Sequence, residues 1–250
     1  MSTTSAYAAP EASVVPAQPS SLASRFAKVF VAPGELFEEF KETAPWGGPL
    51  VLALLVSIIS GLAVYFMVPT DVYADLIRND MLAKGGQVPP DDMMVKIVPQ
   101  AKMFGLIAGF FGPLVIALLV ASVVYLVCRL AMGGKSAFNQ YLTVVTHVQL
   151  VLVVGSLLTL PLVLMRRDPS VSLGLNLVFT NLTPKSPVFG VLHSLDVFNV
   201  WGILLIALGV AKIDGKRSWV PTAVVLTAVF LFFTVGIPFL LSLVLPHPGA

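Results

Sequence analysis

The chain has 250 residues, of which 57% are apolar and only 11% charged, with a formal net charge of +2. A soluble domain of this length needs roughly a quarter of its residues charged, so the composition excludes one and points to a membrane protein. So weak a net charge, with no basic run interleaved with aromatics, excludes a nucleic-acid binder, and the single cysteine, Cys128, excludes a disulfide framework or a cysteine-based zinc site.

Residues 1–21 are rich in Ala, Ser, Pro and Thr without an apolar core, which predicts a disordered tail rather than a signal peptide or a span. Residues 22–48 read as an amphipathic juxtamembrane segment. Leu22, Phe26, Val29 and Phe30 recur at helical spacing around Arg25 and Lys28. Pro33 opens a second short helix whose first turns carry Glu35, Glu38 and Glu39 and whose apolar stripe is Leu36, Phe37 and Phe40. Two placements suit such a segment: along the lipid surface, or packed beneath the bundle.

Residues 49–245 are predicted to form an all-α membrane domain, a bundle of five transmembrane helices. Charge-poor windows hold apolar runs near the roughly 20 residues that cross about 30 Å of hydrocarbon. They place spans near 50–68, 104–127, 142–164, 195–211 and 221–245, and continuous runs such as Val151-Leu-Val-Val exclude the alternation of a β-barrel. Between the first two spans, Val72, Tyr73, Leu76, Ile77 and Met81 mark an apolar helical face that Gly85 to Pro90 breaks. Asp91 or Asp92 is then placed to cap a second helix carrying Met93, Met94, Ile97 and Val98, giving a helical hairpin on the outer face. Pro113, Pro161 and Pro238 are expected to kink their spans. Arg129 and Lys135 in one short loop, and Lys212, Lys216 and Arg217 in another, put the N-terminus in the cytoplasm and the C-terminus outside, against the pull of Arg166 and Arg167.

No metal site, cofactor or catalytic group is expected. His147, His193 and His247 are far apart, no Gly-x-Ser-x-Gly is present, and Gly133-Gly-Lys-Ser fails as a phosphate-binding loop because Cys128 stands where a glycine is needed. Polar residues inside spans are the better pointers. Thr143, Thr146 and His147 share one face of the third span with Gln149 on another, while Asp196 and Asn199 are neighbours at the start of the fourth. This candidate polar cluster either walls a cavity for an ion, proton or small solute, or joins helices, with Ser194 capping the fourth span and Asp196 in its first turn. Gly105 and Gly109 form a Gly-x-x-x-Gly pattern suited to close helix packing, and Asn181-Leu-Thr183 is a glycosylation sequon.

Three motifs then come in a recognisable order: Pro33-Gly-Glu-Leu-Phe37, the Gly133-Gly134 turn leading to Phe138, and Leu195-Asp196-Val-Phe198-Asn-Val-Trp201 leading to Gly209. Together they resemble the Yip1 domain family, especially its bacterial members. The resemblance implies a five-helix membrane domain with a cytoplasmic N-terminus. Eukaryotic members are linked to Rab GTPases and carry an Asp-Leu-Tyr-Gly-Pro stretch before the first span; none lies between Leu22 and Pro49, so Rab binding is not carried over. The expectation is a non-enzymatic scaffold or adaptor in the bacterial cytoplasmic (inner) membrane, in contact with the lipid bilayer and with membrane-protein partners or a second copy. The rival is a small transporter of solute, ion or lipid, with the polar cluster lining its path.

Overall fold

Two short helices precede the long ones. In α1 (Leu22–Val31) the Ser21 hydroxyl caps the first turn by accepting from the Ser24 amide, and in α2 (Pro33–Glu39) Pro33 stands at the N-terminus, where its missing N–H costs nothing. The structure, a computed structural model, describes residues 20–83, 86–167, 171, 174, 196–215, 218–237 and 240. Residues 1–19 of the tail expected over 1–21, the sequon Asn181–Thr183, His193, Ser194, Lys216, Arg217, Pro238 and His247 lie outside the described residues.

The segment packs against the bundle. Val29, Leu36, Phe37 and Phe40 are fully buried in the main core, α1 against α6 and α2 against α7. Burying each large side chain is worth about 1.5–3 kcal/mol, so the segment is part of the bundle's foundation.

The long helices are α3 (Gly47–Met67), α5 (Asp91–Leu126, continued by a π-helical turn over Val127–Ala131) and α6 (Phe138–Arg166). Each is long and apolar enough to cross a membrane. Two shorter apolar helices follow, α7 (Val197–Ile213) and α8 (Val220–Leu231, ending in a π-helical turn over Phe232–Gly236). No strand occurs among the described residues, where Gly174 and Asp196 form only an isolated bridge. Helices α3, α5 and α6 pack mutually, α7 lies on α6, and α8 lies on α7.

The hairpin between the first two spans differs from expectation. Its first arm is α4 (Thr70–Ala83), but its second arm is not a separate helix: α5 starts at Asp91 and runs through Pro99 into the span. Asp91 and Asp92 sit in its first turn, where the helix dipole favours them, rather than capping it. The Asp91 carboxylate accepts from Arg78 of α4 at 2.8 Å, and Lys102 donates to the Val68 carbonyl at 3.0 Å beneath the rings of Tyr65 and Tyr73, fastening α4 to the extended helix.

Pro113 shows how an apolar bundle accommodates an interior proline. Its ring nitrogen has no hydrogen to give the carbonyl of Gly109 one turn earlier, and the Ser57 hydroxyl of α3 donates to that carbonyl at 2.6 Å instead. Of the Gly-x-x-x-Gly pair, only Gly109 therefore faces a neighbouring helix, and Gly105 looks onto open space. Replacing Ser57 by Ala leaves the Gly109 carbonyl unpaired and is expected to lower stability by about 1 kcal/mol, read as a fall in thermal midpoint in detergent; an unchanged midpoint would remove this role.

Candidate functional site

Every residue of α6 from Tyr141 to Val151 is buried, so each of its polar side chains needs a hydrogen-bond partner other than bulk water. His147 has two. Its Nδ1 lies 2.7 Å from the Thr143 carbonyl, which can only accept, so Nδ1 carries the hydrogen. Nε2 then accepts from the Arg25 guanidinium at 3.2 Å, and the same Arg25 nitrogen donates to the Pro45 carbonyl at 3.0 Å. Phe40 covers the imidazole with ring centroids 4.5 Å apart. The Thr146 and Thr143 hydroxyls donate to carbonyls one turn back, of Thr143 and Asn139. Arg25, read from the sequence only as a charge between the apolar positions of α1, is just 7% exposed. The available signal was its spacing, three residues after Leu22 and four before Val29, which puts it on their face.

Around this joint the two short helices are pinned by further polar bonds. Gln140 donates to the carbonyls of Phe40 and Lys41 at 3.0 and 2.8 Å, closing the end of α2. Lys28 pairs with Glu39, and Lys212 of α7 with Glu38 at 2.6 Å. Burial opposes the Glu39 carboxylate, yet hydrogen bonds from Lys28 and Ser20 outweigh it and keep its pKa below the ordinary value.

The loop before α6 closes on Asp214, at the C-terminal end of α7. The Asp214 carboxylate accepts from the backbone N–H groups of Lys135 and Ser136, both at 3.1 Å, and from the Tyr141 hydroxyl at 2.9 Å. A Cβ at Gly134 would lie 2.5 Å from the Tyr141 oxygen and 2.7 Å from Asp214 Oδ2, so only glycine fits beneath this knot. Burial works against the Asp214 charge, but the donors of Ser136, Tyr141 and Lys135 hold its pKa below the usual range.

The remaining motif positions either start helices or join them. Pro33 starts α2, and Phe37 fits against Gly209, where an added Cβ would stand 2.5 Å from Val144 Cγ1 and 3.3 Å from the Phe37 ring. Phe198 packs over Gly155, Trp201 meets Phe30 edge to face at 5.5 Å, and Phe138 meets Tyr125 at 5.7 Å. Asp196 is itself the N-cap of α7: its Oδ1 accepts from the Phe198 and Asn199 amides at 2.7 and 2.8 Å, and its Oδ2 from the Asn199 side chain at 3.0 Å. The cap expected at Ser194 is thus supplied two residues later.

The candidate polar cluster is divided in two. Thr143, Thr146 and His147 belong to the packed end beside α1 and α2. Asp196 and Asn199 instead line a cavity of about 410 Å³ with Ser60, Gly155, Ser156 and Thr159. From His147 to Gly155 is eight residues, about 12 Å along α6. A second cavity of about 360 Å³, lined by Ser57, Ser60, Gln149 and Ser156 among others, lies between α3, α5 and α6. Among the described residues no group of three His, Cys, Asp or Glu side chains could hold a metal ion.

Three helices long and apolar enough to cross a membrane, with no strand among the described residues, define an all-helical integral membrane protein. The Yip1 domain profile matches residues 27–240, and the chain belongs to that family. It is similar to membrane protein YknW of Bacillus subtilis (strain 168), with 23% identity over 209 residues that cover 82% of this chain and 86% of that protein. No solved structure matches it.

The Asp214 knot makes a pH prediction. A carboxylate whose folded pKa is depressed stabilises the fold fully above its unfolded value, near 3.8, and loses that contribution as pH falls through the folded value. Thermal midpoints of the purified protein should therefore fall on acidification below about pH 4, and Asp214→Asn should start lower and flatten that dependence. Identical acid profiles for the two proteins would contradict the assignment.

Proposed function

We propose that the protein is a non-enzymatic organiser of the bacterial cytoplasmic membrane, acting through contacts of its helices with other membrane proteins or with a second copy. In this reading α7 and α8 serve as the fourth and fifth spans, the N-terminus and the α1–α2 segment lie in the cytoplasm, and the C-terminus lies outside. The supporting observation is the closed α1–α2 end. Phe37, Phe40, Thr143, Thr146 and His147 are all fully buried there; the two threonine hydroxyls donate to carbonyls of α6 itself and His147 bonds Arg25 of α1, so none of them is left to line a path. Meanwhile α3 and α5 present broad apolar flanks, with Val51, Leu55, Ile59 and Phe66 on one and Phe104, Phe111 and Leu119 on the other. In a bilayer these flanks meet lipid or protein.

A second reading, a small-solute transporter, is favoured by the two polar cavities in the opposite half of the bundle. The readings separate in native membranes. A photo-reactive side chain at Ile59 or Phe111 should give discrete adducts with a membrane protein or a second copy, and purified protein in liposomes should pass no small solutes. Lipid adducts alone, together with solute flux above empty liposomes, would reverse the choice.

A further inference from the structure

Two polar atoms in the outer half of the bundle are buried without a hydrogen-bond partner, Ser60 Oγ and Gln149 Oε1. Gln149 is only 6% exposed, and its amide nitrogen donates to the Pro113 carbonyl at 2.8 Å. That carbonyl can only accept, so the amide orientation is fixed and the oxygen is the group left over. Both atoms belong to residues lining the 360 Å³ cavity between α3, α5 and α6. Ser60, Leu152 and Ser156 line the 410 Å³ cavity as well, so the two share a wall. The far end of the larger one is marked by Asp196 and Asn199 at the start of α7.

Gln149 lies eleven residues from the start of α6, about 16 Å along a helix crossing roughly 30 Å of hydrocarbon, and so close to the middle of the membrane. An amide oxygen there, with no lipid group able to donate to it, requires a donor from something other than the chain. The occupant must supply an O–H or N–H to Gln149 Oε1, while the Ser60 hydroxyl can donate or accept. It must also be uncharged, because no ionisable residue lines the smaller cavity and the Asp196 carboxylate is occupied by the cap of α7. In size, 360 Å³ corresponds to about a dozen waters at roughly 30 Å³ each. Beyond Gln149 towards α1 and α2, Thr146, His147 and Phe40 are fully buried and packed, which closes that end.

We propose that the two cavities form one hydrated cleft, entered from the face opposite α1 and α2 and ending at Gln149, that receives small uncharged hydroxyl-bearing molecules from water to the size of glycerol. The cleft goes beyond the organiser role, since it needs no passage through the membrane, and it takes from that reading only which face is outside.

The test uses the full-length protein in native membranes with Cys128→Ala as background and single Ser60→Cys or Ser156→Cys changes. Leu55→Cys, 52% exposed on the apolar flank, is the lipid-facing control, and Lys135→Cys marks the α1–α2 face. A charged methanethiosulfonate, which reads both thiols from the larger cavity that Ser60 and Ser156 also line, is applied to right-side-out and inverted vesicles, because thiol reaction requires the thiolate and therefore water. Ser60→Cys should label from the face opposite Lys135→Cys, at least tenfold faster than Leu55→Cys, and molar glycerol should slow it at least threefold against sucrose of equal viscosity. Ser156→Cys is read in parallel, so that loss of one variant to misfolding leaves the other to decide. Labelling no faster than Leu55→Cys at both positions, or labelling from the Lys135 face, would overturn the cleft, and the absence of glycerol protection would overturn its solute. Lys135→Cys labelled from outside would instead overturn the orientation and leave the cleft standing.

Discussion

From Tyr141 to Val151 α6 is buried on every side, and the rest of the structure follows from that burial. A helix so enclosed shields Tyr141, Thr143, Thr146 and His147 from water and headgroups, and each unmet hydrogen bond there is costly. The partners come from several directions: Arg25 of α1 for His147, the end of α2 for Gln140, the Pro113 carbonyl of α5 for Gln149, and Asp214 beyond α7 for Tyr141. The amphipathic segment before the first span is held as firmly as the spans themselves, because α6 needs what it carries.

Apolar packing reinforces the same arrangement. Gly209 lets α7 approach α6 closely enough for Val144 to fill the notch while Phe37 closes it from below, and Trp201 and Phe30 join α7 to α1. Of the motif positions that carry the family resemblance, Phe37, Phe198, Trp201 and Gly209 thus act as joints between α1, α2, α6 and α7, while Pro33 and Asp196 start helices. The bundle is consequently tight at the α1–α2 end and more open in its other half, where serines, Thr159 and Asn199 line cavities. That asymmetry supports the view of a membrane organiser with a closed base and a polar cleft above it.

Much of the fold was legible in the chain. Charge gaps and helical periodicity located α1, α2 and the three long apolar helices, because both signals are local. The second arm of the hairpin was read as a helix of its own ahead of a span near 104–127, whereas a single helix runs from Asp91 into the span. The His147 joint was hidden for a different reason: Arg25 lies 122 residues away in sequence, and no local pattern pairs the two. The division of the polar cluster was recoverable in principle. With α6 and α7 as antiparallel neighbours, the first turn of α7 must meet the far end of α6 and not the turn that carries His147.

A double-mutant cycle on Arg25 and His147 tests the dependence on α6 burial most directly, with Arg25→Gln, His147→Leu and the pair compared in detergent by equilibrium unfolding. Each single change leaves the other partner buried and is predicted to cost about 2–3 kcal/mol, and the double variant should cost at least about 1 kcal/mol less than the sum. Strictly additive losses, or single variants as stable as the parent, would contradict the account.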